Sequence, residues 1–309
     1  MTLILRDIQN AAARIRPYVL WTPTLRRTLG RGRELFLKAE SLQATGAFKL
    51  RGAFNLMLQL PPNTPGVVAH SSGNHAQAVA RAARVLGIHA VIVMPSDAPA
   101  LKLARTRADG AEVIIVGPDS SERAQRAAEL AAERGLFEVP PYNHLGIAAG
   151  QGTAALELLE DVGLLDQFCA PISGGGLMAG CATAVAELSP KTTIVGVEPE
   201  DADDARLSLA AGQRLSVPPP TTIADGLRVR TLGELTWPII RDRVHRIETV
   251  SDKEMLQAMT YALNELRLVL EPSGACALAL ALREGQGRCG VILSGGNVDS
   301  DVLRGLVVR

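Results

Sequence analysis

Short apolar runs alternate with longer amphipathic segments along most of the chain. The runs have the length and the β-branched content of buried strands, and the segments between them carry apolar residues at helical spacing. Parallel strands need crossover connections, which helices of this length provide, so the alternation predicts an α/β fold with parallel sheets covered by helices. The first series of strand and helix covers residues 67–70, 74–86, 90–94, 98–108, 112–116 and 120–134.

A second series of elements flanks the first. Residues 1–18 are predicted to form an amphipathic helix rather than a signal peptide, and 35–38 a short strand. The Pro140–Pro141 pair is a predicted hinge, after which the alternation resumes. The segment 211–222, with three consecutive prolines, is predicted to be a surface connection. The other predicted helices are 152–162, 177–188, 252–267 and 273–283, and the other strands 168–172, 193–197 and 290–293.

Size and composition bound what the chain does. With 309 residues it exceeds the size at which one core usually divides, so two packed lobes are expected. Lysine plus arginine equals aspartate plus glutamate at 32 each, which gives no support for a nucleic-acid or anionic-membrane partner and favours a small molecule. No stretch is apolar enough to span a bilayer. The cysteines lack the spacing of a metal site or disulfide framework and are expected to be core residues of a cytoplasmic protein: Cys169, Cys181, Cys276 and Cys289.

Lys49 lies between two glycines in a stretch of mainly small and apolar residues, Ala44 to Ala53. The stretch follows the strand at 35–38, so Lys49 is expected at a strand-to-helix turn. Burial among apolar groups disfavours the ammonium form and lowers the pKa of a lysine, and the free amine is then nucleophilic enough to condense with an aldehyde. Taken alone, the stretch fits a surface lysine at a helix start equally well.

Three other turns directly follow predicted strands: Ser71 to Gln77, Ser173 to Leu177 and Ser294 to Asn297. In this order, and together with the Lys49 stretch, they resemble the fold-type II pyridoxal-phosphate enzymes, in particular the threonine dehydratase and serine racemase branch. The resemblance covers nearly the whole chain. Four such motifs in sequence are far more specific than any one of them.

The resemblance implies a fold and an assembly. The fold is the two-domain, tryptophan synthase beta-like one, with parallel-type sheets, and the assembly a homodimer or homotetramer. Residues 1–65 and 143–309 would form the large cofactor-binding domain, and 66–142 the small domain. The chain stops soon after Asn297, so the regulatory C-terminal domain of some threonine dehydratases is not expected.

The glycine turn predicts a phosphate site. It opens a helix, where unpaired N–H groups and the helix dipole favour an anion. The resemblance implies that Gly174 to Leu177 hold the phosphate of pyridoxal 5'-phosphate, although Ser173 stands where family members commonly have a first glycine. The same residues also support another class of enzyme, because Gly174, Gly176 and Ala179 roughly fit a dinucleotide pattern, with Glu198 at about the distance of a ribose-binding acid. An NAD-dependent enzyme would leave Lys49 without a role.

The resemblance also implies roles for individual side chains. Lys49 would carry the cofactor and remove the Cα proton, with Ser72 on the opposite face. Ser294 would face the pyridine nitrogen, and because a neutral hydroxyl cannot keep that nitrogen protonated, elimination at Cβ is favoured over transamination. None of the five histidines has metal-ligand spacing. The further implied contacts are Phe48 and Asn74 with the cofactor, and Ser71, Ser72, Asn74 and His75 with the substrate.

An acidic loop follows the strand at 193–197, and hard cations take oxygen ligands of this kind. By resemblance, Glu198, the carbonyl of Ala202 and Asp204 would bind a divalent cation (Mg, Mn or Ca) with water completing the shell. A solvated acidic loop is the other interpretation.

Together these residues favour a pyridoxal-phosphate-dependent dehydratase that converts a β-hydroxy α-amino acid to a 2-keto acid and ammonia, with serine or threonine as default substrate. The sequence Glu271 to Ala275 is closer to the dehydratases than to animal serine racemases, which ranks dehydration first. Serine racemase, or an enzyme with both activities, is the alternative. A cofactor-binding protein without turnover is a third interpretation.

Overall fold

The computed structural model describes residues 2–30, 32–71, 73–98 and 100–307. These ranges contain strands in two sheets and α-helices that pack on them. The strands are β1 (Thr24–Gly30), β2 (Arg33–Ala39), β3 (Val67–His70), β4 (Ala90–Pro95), β5 (Glu112–Val116), β6 (Phe137–Glu138), β7 (Gln167–Pro171), β8 (Thr193–Pro199), β9 (Arg246–Val250) and β10 (Arg288–Leu293). The helices are α1 (Leu5–Ile15), α2 (Lys49–Met57), α3 (Asn74–Leu86), α4 (Ala100–Ala108), α5 (Ser120–Arg134), α6 (Leu145–Val162), α7 (Gly176–Leu188), α8 (Asp204–Ala211), α9 (Trp237–Arg243), α10 (Asp252–Tyr261), α11 (Pro272–Glu284) and α12 (Ser300–Val307).

The larger sheet has six strands in the order β1-β2-β10-β7-β8-β9. Its strands pair in parallel except β1, which lies antiparallel to β2 at the edge. Its two faces bury different residues of the same strand. Phe36 packs into the cluster formed with α1, α6 and α7, whereas Leu35 and Leu37 pack toward α10 and α11. This alternation is what a strand covered by helices on both faces requires.

The smaller sheet has four parallel strands in the order β5-β4-β3-β6. Val67 and Ala69 share a buried cluster with residues of α2 and α3, and Val68 faces residues of α5 on the other side. Since Leu50 and Phe54 of α2 belong to the same cluster as α3, the helix that begins at Lys49 packs against this smaller unit. The sheet lies within residues 66–142, but the domain boundaries themselves remain a prediction.

The predicted α/β class with parallel sheets and covering helices is confirmed. Strands 67–70 and 112–116 and helices 74–86 and 120–134 have the predicted bounds. The predicted helix 152–162 begins earlier, at Leu145, where the ring of His144 accepts a hydrogen bond from the N–H of Gly146. The predicted helix 252–267 is α-helical only to Tyr261 and ends in a π-turn, after which Arg267 has a φ of 60°.

Several elements were not predicted from the sequence: β1, β6, α8, α9, β9 and α12. Strand β1 has two consecutive arginines, Arg26 and Arg27, and no apolar alternation, and it gains its conformation by pairing with β2, which local propensity does not reveal. All four cysteines are free and buried, as expected of core residues. In the described ranges, no helix combines the length and the apolar character needed to cross a membrane.

Candidate active site

Three of the predicted turns meet at one edge of the large sheet because the strands before them run in the same direction. Strand β2 leads toward Lys49, β7 toward the glycine turn and β10 toward Ser294. The turn before Lys49 pairs with the segment after β10, where Ala47 and Gly295 form a β-bridge. Next to this bridge the N–H of Phe48 donates to the carbonyl oxygen of Ser294 at 3.0 Å. Residues almost 250 positions apart in sequence are thereby joined directly.

The start of α2 is anchored by a buried ion-pair network. Arg51 is fully buried and donates to the carboxylates of Glu40 at 2.7 Å and Glu157 at 2.6 Å. Burial alone lowers the pKa of Arg51, but the two carboxylates outweigh it and raise that pKa. Lys38 pairs with Glu157 at 2.9 Å, so two positive and two negative groups balance within the core. Because Arg51 lies two residues after Lys49, this network fixes the helix turn from which the lysine projects.

Lys49 is a partly buried amine with a neutral partner. Its Nζ donates to the carbonyl oxygen of Pro141 at 2.7 Å and lies 5.2 Å from the centroid of the Phe48 ring. Among the described residues no carboxylate pairs with it. Burial lowers the pKa of Lys49 from 10.5 to about 8, because no anion compensates for lost hydration. The lowered pKa leaves more free amine near neutral pH than an ordinary lysine has, and the free amine is the form that condenses with an aldehyde.

The side chain of His75 is buried at the start of α3. Its Nε2 lies 2.8 Å from the carbonyl oxygen of Val139, an arrangement in which Nε2–H donates. Burial, and secondly the charge of Lys49, lower the pKa of His75 to about 3, so the ring is neutral. The ring therefore secures α3 against the segment after β6. Its contact with a substrate remains a prediction.

Asn74 is held at the first position of α3 by two other side chains. Its Nδ2 donates to Oε1 of Glu271 at 2.5 Å, and its Oδ1 accepts from Nδ2 of Asn297 at 2.8 Å. Ser71 stands just before, with its Oγ accepting from the N–H of Gly73 at 3.1 Å. Ser72, the predicted catalytic serine, lies outside the described residues.

Glu271 was missed as a site residue by sequence reasoning. Its side chain is 2% exposed, and burial raises its pKa from 4.5 to about 7, with Asp225 adding to the increase. Lys102 is paired with Asp225 at 2.5 Å, and all three line a cavity of about 200 Å³ beside Asn74. The sequence Glu-Pro-Ser-Gly-Ala indicated a helix start there, but nothing local showed that its carboxylate reaches α3.

The glycine turn between β7 and α7 forms a cradle of unpaired N–H groups. The backbone N–H groups of residues 174–177 have no hydrogen-bond partner among the described residues, although this segment is buried. Gly175 has a φ of 92°, and a Cβ on it would lie 2.7 Å from Oγ1 of Thr236. Thr236 in turn donates to the carbonyl oxygen of Gly174 at 2.7 Å, which fixes the orientation of the turn. Buried donors without partners at a helix start are suited to a phosphate.

Tyr142 and Thr236 complete this cradle, and neither was predicted. A side chain on Gly174 would overlap the ring of Tyr142, which comes directly after Pro141. Lys49 and the glycine turn are thus linked through two consecutive residues, because Lys49 donates to the carbonyl of Pro141. The prolines at 140 and 141 indicated only a connection, so the sequence alone gave no reason to place Tyr142 here.

Ser294 offers an uncharged hydroxyl at the end of β10. The side chain is 4% exposed, and its Oγ donates to the carbonyl oxygen of Ser273 at 3.3 Å, which is a long hydrogen bond. The described residues place no carboxylate in hydrogen-bond contact with it. This setting allows the hydroxyl to turn toward a ligand, as the predicted contact with a pyridine nitrogen requires.

Glu198 and Asp204 are buried carboxyl groups at the carboxyl end of β8. Glu198 accepts from the N–H groups of Ala205 at 3.1 Å and Arg206 at 2.9 Å. Both oxygens of Asp204 are buried without a hydrogen bond to a described residue. Burial, and secondly Asp204, raise the pKa of Glu198 well above its usual range, and burial raises that of Asp204 to about 7. Three or more histidine, cysteine, aspartate or glutamate side chains do not gather into a metal-binding group anywhere in the described ranges.

Comparisons with known proteins agree with this geometry. A family model described as pyridoxal-phosphate dependent enzyme matches residues 15–295. An L-threo-3-hydroxyaspartate ammonia-lyase of Saccharomyces cerevisiae is 44% identical over 302 residues, which cover 95% of this chain and 93% of that protein. A serine racemase of Oryza sativa subsp. indica is 43% identical, with coverage of 97% and 92%. The crystal structure of T.th. threonine deaminase is 47% identical, covers 96% of this chain and 99% of its own, and has a TM-score of 0.92.

These findings confirm the predicted resemblance and fold class, and they decide between the two cofactors considered for the glycine turn in favour of pyridoxal phosphate. The cradle of unpaired N–H groups and the amine of Lys49 fit the phosphate and the aldehyde of that cofactor. The relatives are named ammonia-lyases, racemases and a deaminase, which leaves the substrate and the balance of activities open to proposal.

Proposed function

Because the chain belongs to the family of pyridoxal-phosphate-dependent enzymes, we propose that it is an ammonia-lyase acting on a β-hydroxy α-amino acid, which it converts to a 2-keto acid and ammonia. The observation that carries the proposal is the hydrogen bond from the N–H of Phe48 to the carbonyl oxygen of Ser294, which joins the segment of Lys49 to that of Ser294. One segment carries an amine with a lowered pKa, and the other carries an uncharged, buried hydroxyl. This combination favours removal of the Cα proton followed by loss of the β-substituent over transamination.

Different residues of this chain are proposed to hold the cofactor and to move protons. Gly174 to Leu177 would hold the phosphate through their N–H groups, and Phe48, Asn74 and Ser294 would hold the ring. Bound pyridoxal phosphate supplies an aldehyde for Lys49 and an electron-withdrawing ring that acidifies the Cα–H of an attached amino acid. Lys49 Nζ would accept the Cα proton, for which a pKa of about 8 is well placed near neutral pH. Ser72 is the proposed acid or base on the opposite face.

The substrate carboxylate is proposed to bind at the turn from Ser71 to His75. This turn opens α3, where N–H groups and the helix dipole favour an anion. The ammonium of Lys102 is close to this turn, since its Nζ would lie 3.5 Å from a Cβ on Gly73. The pairing with Asp225 fixes the position of Lys102 beside the turn.

Among β-hydroxy amino acids, we propose 3-hydroxyaspartate as the first substrate to test, ahead of the serine or threonine expected from sequence alone. Two relatives that are 44% identical are named L-threo-3-hydroxyaspartate ammonia-lyase. Serine racemisation is the second candidate, since several relatives of similar identity carry that name. The two activities differ in what happens after removal of the Cα proton, so a single enzyme can perform both.

A divalent cation (Mg, Mn or Ca) is proposed at Glu198, the carbonyl of Ala202 and Asp204. The support is the burial of two neighbouring carboxyl groups, one of them without any hydrogen bond to a described residue. Buried charge is costly unless it is paired or coordinates a metal. Carboxylate and carbonyl oxygens are the ligands that hard cations prefer, and water would complete the shell.

A homodimer or homotetramer is also proposed. Three apolar side chains near residue 43 are about half exposed: Leu20 at 53%, Trp21 at 50% and Leu42 at 44%. Gln43 holds the first of them in place, accepting from the N–H of Leu20 at 3.0 Å and donating to its carbonyl at 2.8 Å. Light scattering of the purified protein tests the oligomeric state.

The proposed activity is tested with a panel of β-hydroxy amino acids. The purified enzyme with its cofactor is given each stereoisomer of 3-hydroxyaspartate, serine and threonine, and keto-acid release is followed together with chiral separation of the remaining substrate. We expect the highest kcat/KM for keto-acid release from a 3-hydroxyaspartate isomer and none from the Lys49→Ala variant. Inversion of serine without keto-acid release from any compound would contradict the lyase proposal.

A further inference from the structure

Asn297 closes the Ser-Gly-Gly-Asn turn after β10, and none of the roles described above uses it. Its side chain is 8% exposed and fully hydrogen-bonded. Nδ2 donates to the carbonyl oxygen of Thr45 at 2.7 Å and to Oδ1 of Asn74 at 2.8 Å. Oδ1 accepts from Nη1 of Arg105 at 2.9 Å. One amide therefore connects three segments: the turn before Lys49, the start of α3 and the helix α4.

The bond to Thr45 extends an existing ladder. The N–H of Phe48 donates to the carbonyl of Ser294, and the N–H of Gly296 donates to the carbonyl of Gly46 at 2.8 Å. The Asn297 side chain adds the next contact along the same pair of segments. It is therefore fixed relative to the backbone that carries both Lys49 and Ser294.

This fixed amide determines which way the amide of Asn74 faces. Since Asn297 donates, Asn74 must present its oxygen to it, and its Nδ2 is directed to Glu271. A flip of the Asn74 amide would set donor against donor at Asn297, and it would set oxygen against oxygen at Glu271 when that carboxyl group is ionised. Only one N–H of Asn74 has a partner among the described residues, so the second is available to a ligand.

Arg105 reinforces the arrangement from α4. Its guanidinium donates to Oδ1 of Asn297 and so polarises that amide, which makes its N–H groups stronger donors. The side chain of Arg105 has no carboxylate partner within 4 Å in the described ranges. The chain Arg105, Asn297, Asn74, Glu271 thus alternates between elements packed on the smaller sheet and elements of the larger one.

We propose that Asn297 is a positioning residue that sets the amide orientation of Asn74, so that an N–H of Asn74 faces the ring hydroxyl of bound pyridoxal phosphate, and that Arg105 strengthens this setting. The proposal rests on the proposed function in one respect, the contact of Asn74 with the cofactor. It adds a role for the last residue of the Ser-Gly-Gly-Asn motif and for an arginine of α4.

The test compares Asn297→Asp with Asn74→Ala and with a control, Asn10→Asp, which changes an exposed residue of α1. The new carboxylate has nearly the same shape but cannot donate, so it should draw Nδ2 of Asn74 toward itself and away from the cofactor. We expect the dissociation constant of pyridoxal phosphate to rise about ten-fold, the equivalent of about one hydrogen bond. In Asn297→Asp the pH dependence of the visible absorbance of the bound cofactor should also change. The fall in kcat should be larger than the rise in KM.

One further variant keeps the outcomes distinct. Asn297→Ala introduces no charge and should raise the dissociation constant about three-fold, which covers the case in which Asn297→Asp fails to fold. If Asn74→Ala weakens cofactor binding while both Asn297 variants bind and absorb like the parent, the positioning role is refuted. If Asn74→Ala itself binds the cofactor like the parent, the proposed contact of Asn74 is wrong, and the role of Asn297 is refuted with it.

Discussion

The backbone N–H of Phe48 donates to the carbonyl oxygen of Ser294 at 3.0 Å, so the residue before the lysine and the serine after β10 share one hydrogen bond. The hydroxyl of Ser294 is uncharged and 4% exposed. One backbone contact thus joins the segment that carries the amine of Lys49 to the segment that carries this hydroxyl.

Ser294→Asp should slow keto-acid release at least ten-fold and increase transamination, because a carboxylate keeps the pyridine nitrogen protonated and the ring then withdraws more charge from Cα. Ser294→Ala should retain the cofactor covalently but weaken its binding by about 1 kcal/mol, one hydrogen bond. Keto-acid assays and absorbance titrations measure both effects. Equal elimination rates in Ser294→Asp and the parent would mean that ring protonation does not select the reaction.

Removing divalent cations should lower the melting temperature, because Glu198 and Asp204 would then face each other without a counter-charge. At a cation concentration a hundred times its dissociation constant, the stabilisation is about 3 kcal/mol, or about 5 °C or more in Tm. Asp204→Asn should abolish the response to chelator. Asp201→Asn, an exposed position in the same loop, should keep it. A melting curve of the parent that is the same in chelator and in added Mg, Mn or Ca would refute the site.

Glu271 should make stability pH-dependent. Its pKa is raised from 4.5 to about 7, so the folded state keeps a proton that the unfolded chain releases between these values. The free energy of unfolding therefore falls as pH rises through this window, and the decrease is complete above pH 7. Glu271→Gln should reduce the loss of Tm between pH 5 and pH 8 by about 3 °C or more.

The control for this measurement is Glu160→Gln, which changes an exposed carboxylate of α6. It should show the pH dependence of the parent. An unchanged slope in Glu271→Gln would show that the carboxyl of Glu271 does not retain its proton near neutral pH.

Gly175→Ala should weaken phosphate binding and destabilise the fold. A side chain there meets both a φ of 92° and the neighbouring Thr236 and Ile240. Gly212→Ala is a matched control, because its φ of 68° imposes similar backbone strain but nothing lies within 4 Å. The control should cost about 1 kcal/mol, and Gly175→Ala about 1–3 kcal/mol more, the usual cost of overpacking. Urea unfolding and cofactor titration compare the two variants. Equal losses of unfolding free energy would show that Thr236 and Ile240 do not crowd a side chain at position 175.

The sequence predicts most of the fold and the main turns of the site for a physical reason. Turns such as Ser173 to Leu177 impose local backbone requirements that only glycine meets easily, so they are visible without knowledge of the fold. The strand and helix alternation is likewise local. These features sufficed to identify the segments of Lys49, Asn74 and Ser294 as turns that follow strands.

The parts that were missed depend on contacts between distant segments. Glu271 reaches Asn74 across 197 positions, and Thr236 reaches the carbonyl of Gly174 across 62. Neither side chain stands out in its own segment, so no local pattern assigns it to the site. Strand β9 was missed for a related reason, since its moderately apolar residues become a strand only by pairing with β8.

The most direct test of the central claim is to identify the lysine that carries pyridoxal phosphate. The enzyme with its cofactor is reduced with borohydride, digested and analysed by peptide mass spectrometry, which reports the modified position among Lys38, Lys49, Lys102, Lys191 and Lys253. We expect the cofactor on Lys49 alone, because its amine combines a lowered pKa with a position next to the glycine turn. Modification of another lysine, or none in a catalytically active sample, would contradict the account.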